Sequence, residues 1–268
     1  MKTHVHVHFD YYTWRANFGY FSLNIFTKMR THILAITFFI SCLFSLQSCG
    51  DCVQGEGEAI TESRAILDFE VLKLDCSANV EIRENIVSEK NRVEVVAPEN
   101  LLPYIKTNIE GKKLTIDIEG CVISTTSITV KVYTNGMQKL INDGSGNVTC
   151  QNSLKGDQLM VVNGGSGDID VQFRGKEIEI ENDGSGNVII AGGAGDLEID
   201  CSGSGNVTAS QFKADKAAID NSGSGNVVVA VISGLSINLT GSGDVRYKGN
   251  PQQLEQSNDG SGSIVKLN

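Results

Sequence analysis

The chain has 268 residues, of which 29 are glycine and only three proline, with 6% aromatic residues and a formal net charge of −10. That length allows one or two domains, and the acidic balance argues against nucleic acid or anionic headgroups as partners, since both favour basic surfaces. Sparse aromatics argue against an aromatic-lined enzyme cleft and suit a core of narrow aliphatic ladders.

Residues 1–28 read as an upstream extension, because Met29 begins a complete export signal by itself. From Met29 the chain runs Met-Arg-Thr-His and then an apolar stretch, Ile33 to Leu46, that is short for a membrane span. Residues 29–48 are therefore expected to be a lipoprotein signal peptide. Leu46-Gln47-Ser48-Cys49 resembles a bacterial lipobox, which makes Cys49 the predicted lipidation site and the cell envelope, at the outer membrane, the predicted location. His4, His6, His8, His32 and Trp14 all precede Cys49. So do four of the 22 basic and one of the 32 acidic residues, and the remainder carries a net charge near −13. Without a histidine after Cys49, neither a Ser-His nor a Cys-His catalytic pair can be built.

Residues 49–63 are polar and Gly-rich and read as a tether. From 64 to 139 the sequence is strand-rich but irregular, with runs such as Phe69–Leu74, Asn79–Arg83, Arg92–Val96, Lys113–Ile118 and Ser127–Tyr133, and a possible helical turn at Pro98–Tyr104. Cys52, Cys76, Cys121, Cys150 and Cys201 match neither a zinc pattern nor a disulfide framework. A bridge among Cys52, Cys76 and Cys121 is compatible with an oxidising compartment, with no pairing preferred. Cys150 and Cys201 read as small apolar core residues.

From 140 to 268 one phrase recurs: Gly-Ser-Gly, then in nearly every case Asn or Asp, then a β-branched residue. Its first glycines are Gly144, Gly165, Gly184, Gly203, Gly223, Gly241 and Gly260. Steps of 18 to 21 residues match one coil of a parallel β-helix. Four residues after each first glycine stand Val148, Ile169, Val188, Val207, Val227, Val245 and Ile264, a column suited to an inward strand position. Apolar residues also stand four and six before it, with Gln256 breaking the nearer column in the last coil. The glycines are expected to supply positive φ at a tight corner. Asn142, Asn163, Asn182, Asn221 and Asn258, two before the corner, are expected to form an amide ladder. In the column just after the corner, from Asn147 to Ser263, no two charged residues are neighbours, which avoids like-charge repulsion. Gly193-Ala194-Gly195 suggests a further turn. The irregular 64–139 segment is expected to start the same β-structure and cap one end, because a bare end exposes unpaired backbone groups.

Two chemistries have candidate residues. Asp143, Asp183 and Asp259 precede separate corners and could make at most sparse calcium sites, since a hard cation wants six to eight oxygens. Glu177, Glu179 and Glu181 alternate on one outward face with Glu198 and Asp200 in the next coil, the only arrangement resembling a glycan-active enzyme. Phe173, Phe212 and Tyr247 are too few to make sugar platforms. No catalytic, cofactor-binding or metal-binding residue is assigned, and no cofactor is expected.

The Phe69 strand, the Asn79-Val80-Glu81-Ile82 run, the Asn100-Leu101-Leu102 turn, the Gly111–Ile118 pair and the repeated Gly-Ser-Gly-Asn-Val phrases together resemble the head GIN domain family of auto-transporter adhesins. The likeness covers about residues 64–266, with departures at Glu56 and Cys76. It implies an all-β, right-handed parallel β-helix on a secreted or lipid-anchored envelope protein. The expected role is a non-enzymatic, adhesin-like or scaffolding surface for a glycan or an envelope or host protein, with membrane contact through the lipid and self-association by edge or end pairing. A carbohydrate-active β-helix enzyme is the alternative.

Overall fold

A computed structural model describes residues 52–85 and 90–268. The extension 1–28, the signal peptide 29–48 and the lipidation candidate Cys49 lie outside the described residues. Cys52–Asn268 forms one compact unit, nearly all β and wound into a solenoid of about seven turns.

Each regular coil runs strand, Gly-Ser-Gly corner, strand, and each strand pairs in parallel with its equivalent one coil on. Val148 pairs with Ile169, Ile169 with Val188, Val188 with Val207, Val207 with Val227, Val227 with Val245 and Val245 with Ile264. Across the corner, Leu140, Val161, Ile180, Ile199, Ile219 and Ile237 form the facing column, all buried. The core is thus two facing aliphatic ladders, each residue packed on its own counterpart above and below. Phe173 and Phe212 fill the wider part of this interior at 1% and 0% exposure, and Tyr247 is buried near its end, so none of the three is a surface platform.

The corner glycines are required for space, not for left-handed backbone. None of them has a positive φ. A Cβ on Gly165 would sit 2.0 Å from the carbonyl oxygen of Gly144, and one on Gly205 would sit 1.9 Å from that of Gly186. Corner carbonyls are also hydrogen-bonded: the Ser166 N–H donates to Gly144 O at 3.1 Å, and Ser185 N–H to Gly165 O at 3.0 Å, the oxygen that a Cβ on Gly184 would meet at 2.1 Å. Corners are therefore hydrogen-bonded coil to coil, and a methyl group would have to occupy the line of that contact. Positive φ is found instead at the second bend, at Gly192 (φ 120°) and Gly249 (φ 112°). The expected turn at Gly193-Ala194-Gly195 is absorbed into one long strand, Val188–Cys201, whose register shifts between Ile189 and Ala191.

Of the inner asparagines, Asn142, Asn182, Asn221 and Asn258 bond within their own corners, the buried Asn163 side chain makes no hydrogen bond among the described residues, and none of them forms a ladder. Asn142 Nδ2 donates to Gly146 O at 3.0 Å while its Oδ1 accepts from Gly144 N–H at 3.2 Å, and Asn221 does the same to Gly225 and Gly223. The coil-to-coil ladder belongs to the outer column. Asn187 N–H and Nδ2 both donate to Asp168 Oδ1, Asn206 repeats this on Asn187, and Asn226 on Asn206. Asp244 N–H then donates to Asn226 Oδ1, and Ser263 N–H to Asp244 Oδ1. Asn and Asp offer the same acceptor, so an isolated aspartate keeps the ladder intact.

The irregular N-terminal half contains a hidden coil. Val71–Leu74 pairs with Lys139–Asn142, and Asn79–Glu84 with Val148–Cys150, which places Asp75-Cys76-Ser77-Ala78-Asn79-Val80 under Asp143-Gly144-Ser145-Gly146-Asn147-Val148. On their other side these strands pair with Lys113–Ile118 and Thr129–Thr134, which come later in the chain. The first coil is thus enclosed between two later ones. Beyond it the parallel stack ends in antiparallel strands: Arg92–Pro98 covers Thr129–Thr134 and is itself covered by Ala59–Ala65, while Ile105–Glu110 covers Lys113–Ile118. This is the cap expected at one end, with a 3-10 turn at Glu99–Tyr104 inside it.

Most of the segment read as a tether is docked. Cys52 is joined to Cys121 with Cα atoms 4.6 Å apart, Val53–Gln54 pairs with Val122–Ile123, and the Ala59–Ala65 strand begins inside it. The disulfide selects one of the three pairings the cysteines allowed. Cys76, Cys150 and Cys201 are free, the last two buried in the aliphatic ladders.

Candidate functional site

Three surfaces follow from this architecture. The first is the trough along the corners, about 830 Å³, lined by hydroxyls, carboxylates and glycine backbone. Because each serine of the phrase sits between two glycines that must stay bare, its own side chain is free to point outward. Ser145, Ser166, Ser185, Ser204 and Ser224 are all exposed, spaced at roughly the ~4.8 Å strand separation. Asp143, Asp183 and Asp259, the calcium candidates, are exposed in the neighbouring column. Asp143 is bridged to Lys73 at 3.1 Å, and Asp183 accepts from Ser202 Oγ at 2.5 Å. Among the described residues, no three His, Cys, Asp or Glu side chains converge in a way that would hold a metal ion.

The second surface is the outward face of the strands before the corner. Glu177 pairs with Asp196, Glu179 with Glu198 and Glu181 with Asp200, and Asp200 pairs in turn with Asp220. Like charges therefore stand directly over one another, the arrangement that the outer Asn/Asp column avoids. Partial burial, followed by the charges of Glu198, Glu181 and Glu177, raises the Glu179 carboxyl above the ordinary glutamate value. Asp200 is raised likewise by burial, then by Asp220 and Asp183. Beside this band an open depression of about 360 Å³ forms where side chains become small, around Ala217, Ala218 and Gly234, with Lys216 at its edge. The sequence brought these five carboxylates together correctly. The structure spreads them along an open sheet, with Lys216 paired beside Asp196 at one margin and no enclosed cleft around them.

The third is a notch of about 560 Å³ beneath the first corner, between Cys76 and the 119–128 excursion. It exists because Lys113–Ile118 and Thr129–Thr134 are joined by that excursion and not by a tight corner. A Cβ on Gly144 or Gly146 would strike Cys76 O or Ala78 O at 2.1 and 1.9 Å. The equivalent positions one coil earlier have no such corner below them and carry Cys76 and Ala78. Sequence reading missed this coil because it tracked the glycines. The remaining signal, Asp-x-Ser-x-Asn-Val at Asp75–Val80, was present. Burial pushes the Cys76 thiol up to about 11, so it is not a thiolate at neutral pH.

Among the described residues, no helix is long and apolar enough to cross a membrane. Residues 68–251 match the family profile described as "Putative auto-transporter adhesin, head GIN domain". No curated protein matches the chain. Among solved structures, one described as a putative adhesin from Bacteroides fragilis NCTC 9343 is 21% identical with a TM-score of 0.77, the match covering 80% of this chain and 100% of that one. A putative adhesin from Parabacteroides merdae ATCC 43184 is 22% identical with a TM-score of 0.67, covering 82% of this chain and 100% of that one. A protein described as a putative lipid binding protein, from Parabacteroides distasonis ATCC 8503, is 25% identical with a TM-score of 0.68, covering 81% of this chain and 100% of that one.

Proposed function

Since the chain belongs to the head GIN domain family, we propose that it is a lipid-anchored protein of the outer membrane whose solenoid is a stiff, non-enzymatic surface for binding a glycan or another protein. The observation that carries this reading is the uninterrupted stacking of outward columns. Serine hydroxyls along the corner trough and carboxylates along the adjoining face repeat at the strand spacing, while Phe173, Phe212 and Tyr247, the aromatic residues of the regular coils, are buried. A row of identical groups on a rigid backbone binds with little ordering cost, and it favours extended partners that repeat polar groups along their length. Cys49 would hold the cap end near the membrane, since the chain enters the solenoid through Cys52 and the Val53–Gln54 strand.

The test is a binding screen of the full chain against envelope and host glycans and proteins, with turnover followed in parallel. Binding without product, weakened at least tenfold by Ser166→Leu with Ser185→Leu or by Glu179→Lys with Glu198→Lys, is the expected outcome and tells which surface is used. Release of new reducing ends or unsaturated sugars would establish the glycan-active enzyme instead. Cys49→Ala is expected to move the protein from the membrane fraction to the soluble one, and unchanged partitioning would remove the lipid anchor.

A further inference from the structure

Every corner from Gly144 to Gly260 is tied to the coil before it by the same pair of donors. The serine N–H and the N–H of the glycine after it share one carbonyl at 2.9–3.3 Å: Ser145 and Gly146 on Cys76 O, Ser166 and Gly167 on Gly144 O, and so on to Ser261 and Gly262 on Gly241 O. The first corner has the donors and lacks the carbonyl. Asp75 N–H reaches Ile116 O at 3.0 Å, and Asn79 N–H reaches Ile128 O at 2.9 Å. Between them, the N–H groups of Cys76, Ser77 and Ala78 donate to no carbonyl among the described residues, because the chain below has departed into the 119–128 excursion. Ala78 is fully buried, and its N–H faces the Cys76 sulfur. Cys76 and Ser77 line the notch of about 560 Å³, and theirs are the donors left for it.

We propose that this notch binds the acetamido group of an N-acetylated sugar, whose carbonyl oxygen stands where a corner carbonyl stands beneath every later coil. The lining selects that chemistry. Backbone N–H groups call for an acceptor, and an amide carbonyl is the acceptor the fold itself uses at this position. Asp75 and Asp117, in the same lining, repel an anionic acceptor and leave a neutral one. One oxygen of Asp75 takes Lys73 Nζ and one of Asp117 takes the Ile118 N–H, so each carboxylate keeps an oxygen for the amide N–H or a sugar hydroxyl. Ile118 and Ile128 offer apolar surface to the methyl group. A peptide carries the same amide, but it binds a sheet by pairing with a free edge. Lys113–Ile118 and Thr129–Thr134, which flank the notch, are each paired on both sides already. A single pendant amide needs no edge. The inference rests on the reading of the solenoid as a glycan-binding surface, and it moves recognition from the long faces to this notch.

Titration of the isotope-labelled full chain in detergent with N-acetylglucosamine, followed by NMR, tests this. The Ser77 amide resonance is expected to move saturably, and glucose, which lacks the acetamido group, to bind at least about tenfold more weakly. Ser127→Trp, which fills the notch from an exposed lining position, is expected to weaken N-acetylglucosamine binding by about tenfold or more. Ser166→Leu with Ser185→Leu, in the trough, is expected to leave it unchanged. A Ser77 resonance that neither sugar moves, glucose binding as well as N-acetylglucosamine, or undiminished binding by a folded Ser127→Trp variant would overturn the proposal. So would tighter binding of N-acetylglycine N-methylamide, which would make the notch a peptide site. Glycans caught in the wider screen and lost with the trough pair, beside an unmoved Ser77 resonance, would remove the notch and leave the proposed function standing. If Ser127→Trp loses its β circular dichroism, Asp117→Ala is read by the same criteria.

Discussion

The regular coils and the first coil solve the same corner in two ways. In the regular coils every corner lies on another corner, carbonyls and amides bond across the gap, and both outer positions of the phrase must be glycine. The first coil makes the same corner with Cys76 and Ala78, because below it the chain departs into the 119–128 excursion and a notch takes the place of a neighbour. Glycine in this fold therefore reports the presence of a coil underneath. It does not report the bend.

The largest effect expected from that contrast is at the corner itself. Gly205→Ala should cost more than about 3 kcal/mol or prevent folding, since backbone would have to move to admit the methyl group. Ala78→Gly should cost less, about 1–2 kcal/mol, from the backbone entropy of glycine and the loss of one buried methyl group. Urea unfolding of both would show it, and equal costs would erase the distinction. Next comes the device that replaces stacking in the cap. Replacing Cys52 and Cys121 by serine should cost about 2–4 kcal/mol. Hydrogen exchange should place the loss at Val53–Gln54 and Val122–Ile123 and leave the regular coils protected.

A smaller effect divides the regular coils among themselves. Asn221 closes its corner with two hydrogen bonds, while Leu239 occupies the equivalent position one coil on, fully buried and without any. Asn221→Ala, which leaves Gly225 O without its donor and a void behind it, should cost about 2 kcal/mol. Asn221→Leu should cost less than half of that, and a larger loss for Leu than for Ala would mean that the two corner types are not interchangeable.

The smallest effect concerns the stacked carboxylates, which the regular coils tolerate on one face and avoid on another. The Glu179 carboxyl is raised in the folded state by burial and by its glutamate neighbours, so the charged form opposes folding. That penalty is absent below the ordinary carboxylate range and sets in as pH rises through the folded value. Glu179→Gln should accordingly raise thermal stability at neutral pH by a few tenths of a kcal/mol. The gain should fade as pH falls to where Glu179 is protonated in both states. A gain independent of pH would point to packing and not to charge.

Much of this molecule was legible in its repeat. Valine columns, inward isoleucines, the corner phrase and the carboxylate face are local patterns copied at a fixed step, and parallel stacking turns sequence equivalence directly into spatial contact. The roles of the two asparagine columns were not legible. Asn142 and Asn147 are the same residue five positions apart, and only coordinates show that one bonds within its coil and the other between coils.

By itself the sequence determined that coils stack in parallel, because only a residue meeting its own equivalent sustains columns of β-branched side chains over seven phrases. Tertiary structure alone decided that the first coil lies between two later ones, that Cys52 pairs with Cys121, and that antiparallel strands cover the parallel stack beyond that coil. Those facts depend on which segments meet across long sequence separations, such as the 69 residues between the bonded cysteines, and no repeat encodes such a meeting. Where a corner has no neighbour beneath it, the steric demand for glycine disappears, and with it the mark by which the sequence could announce it.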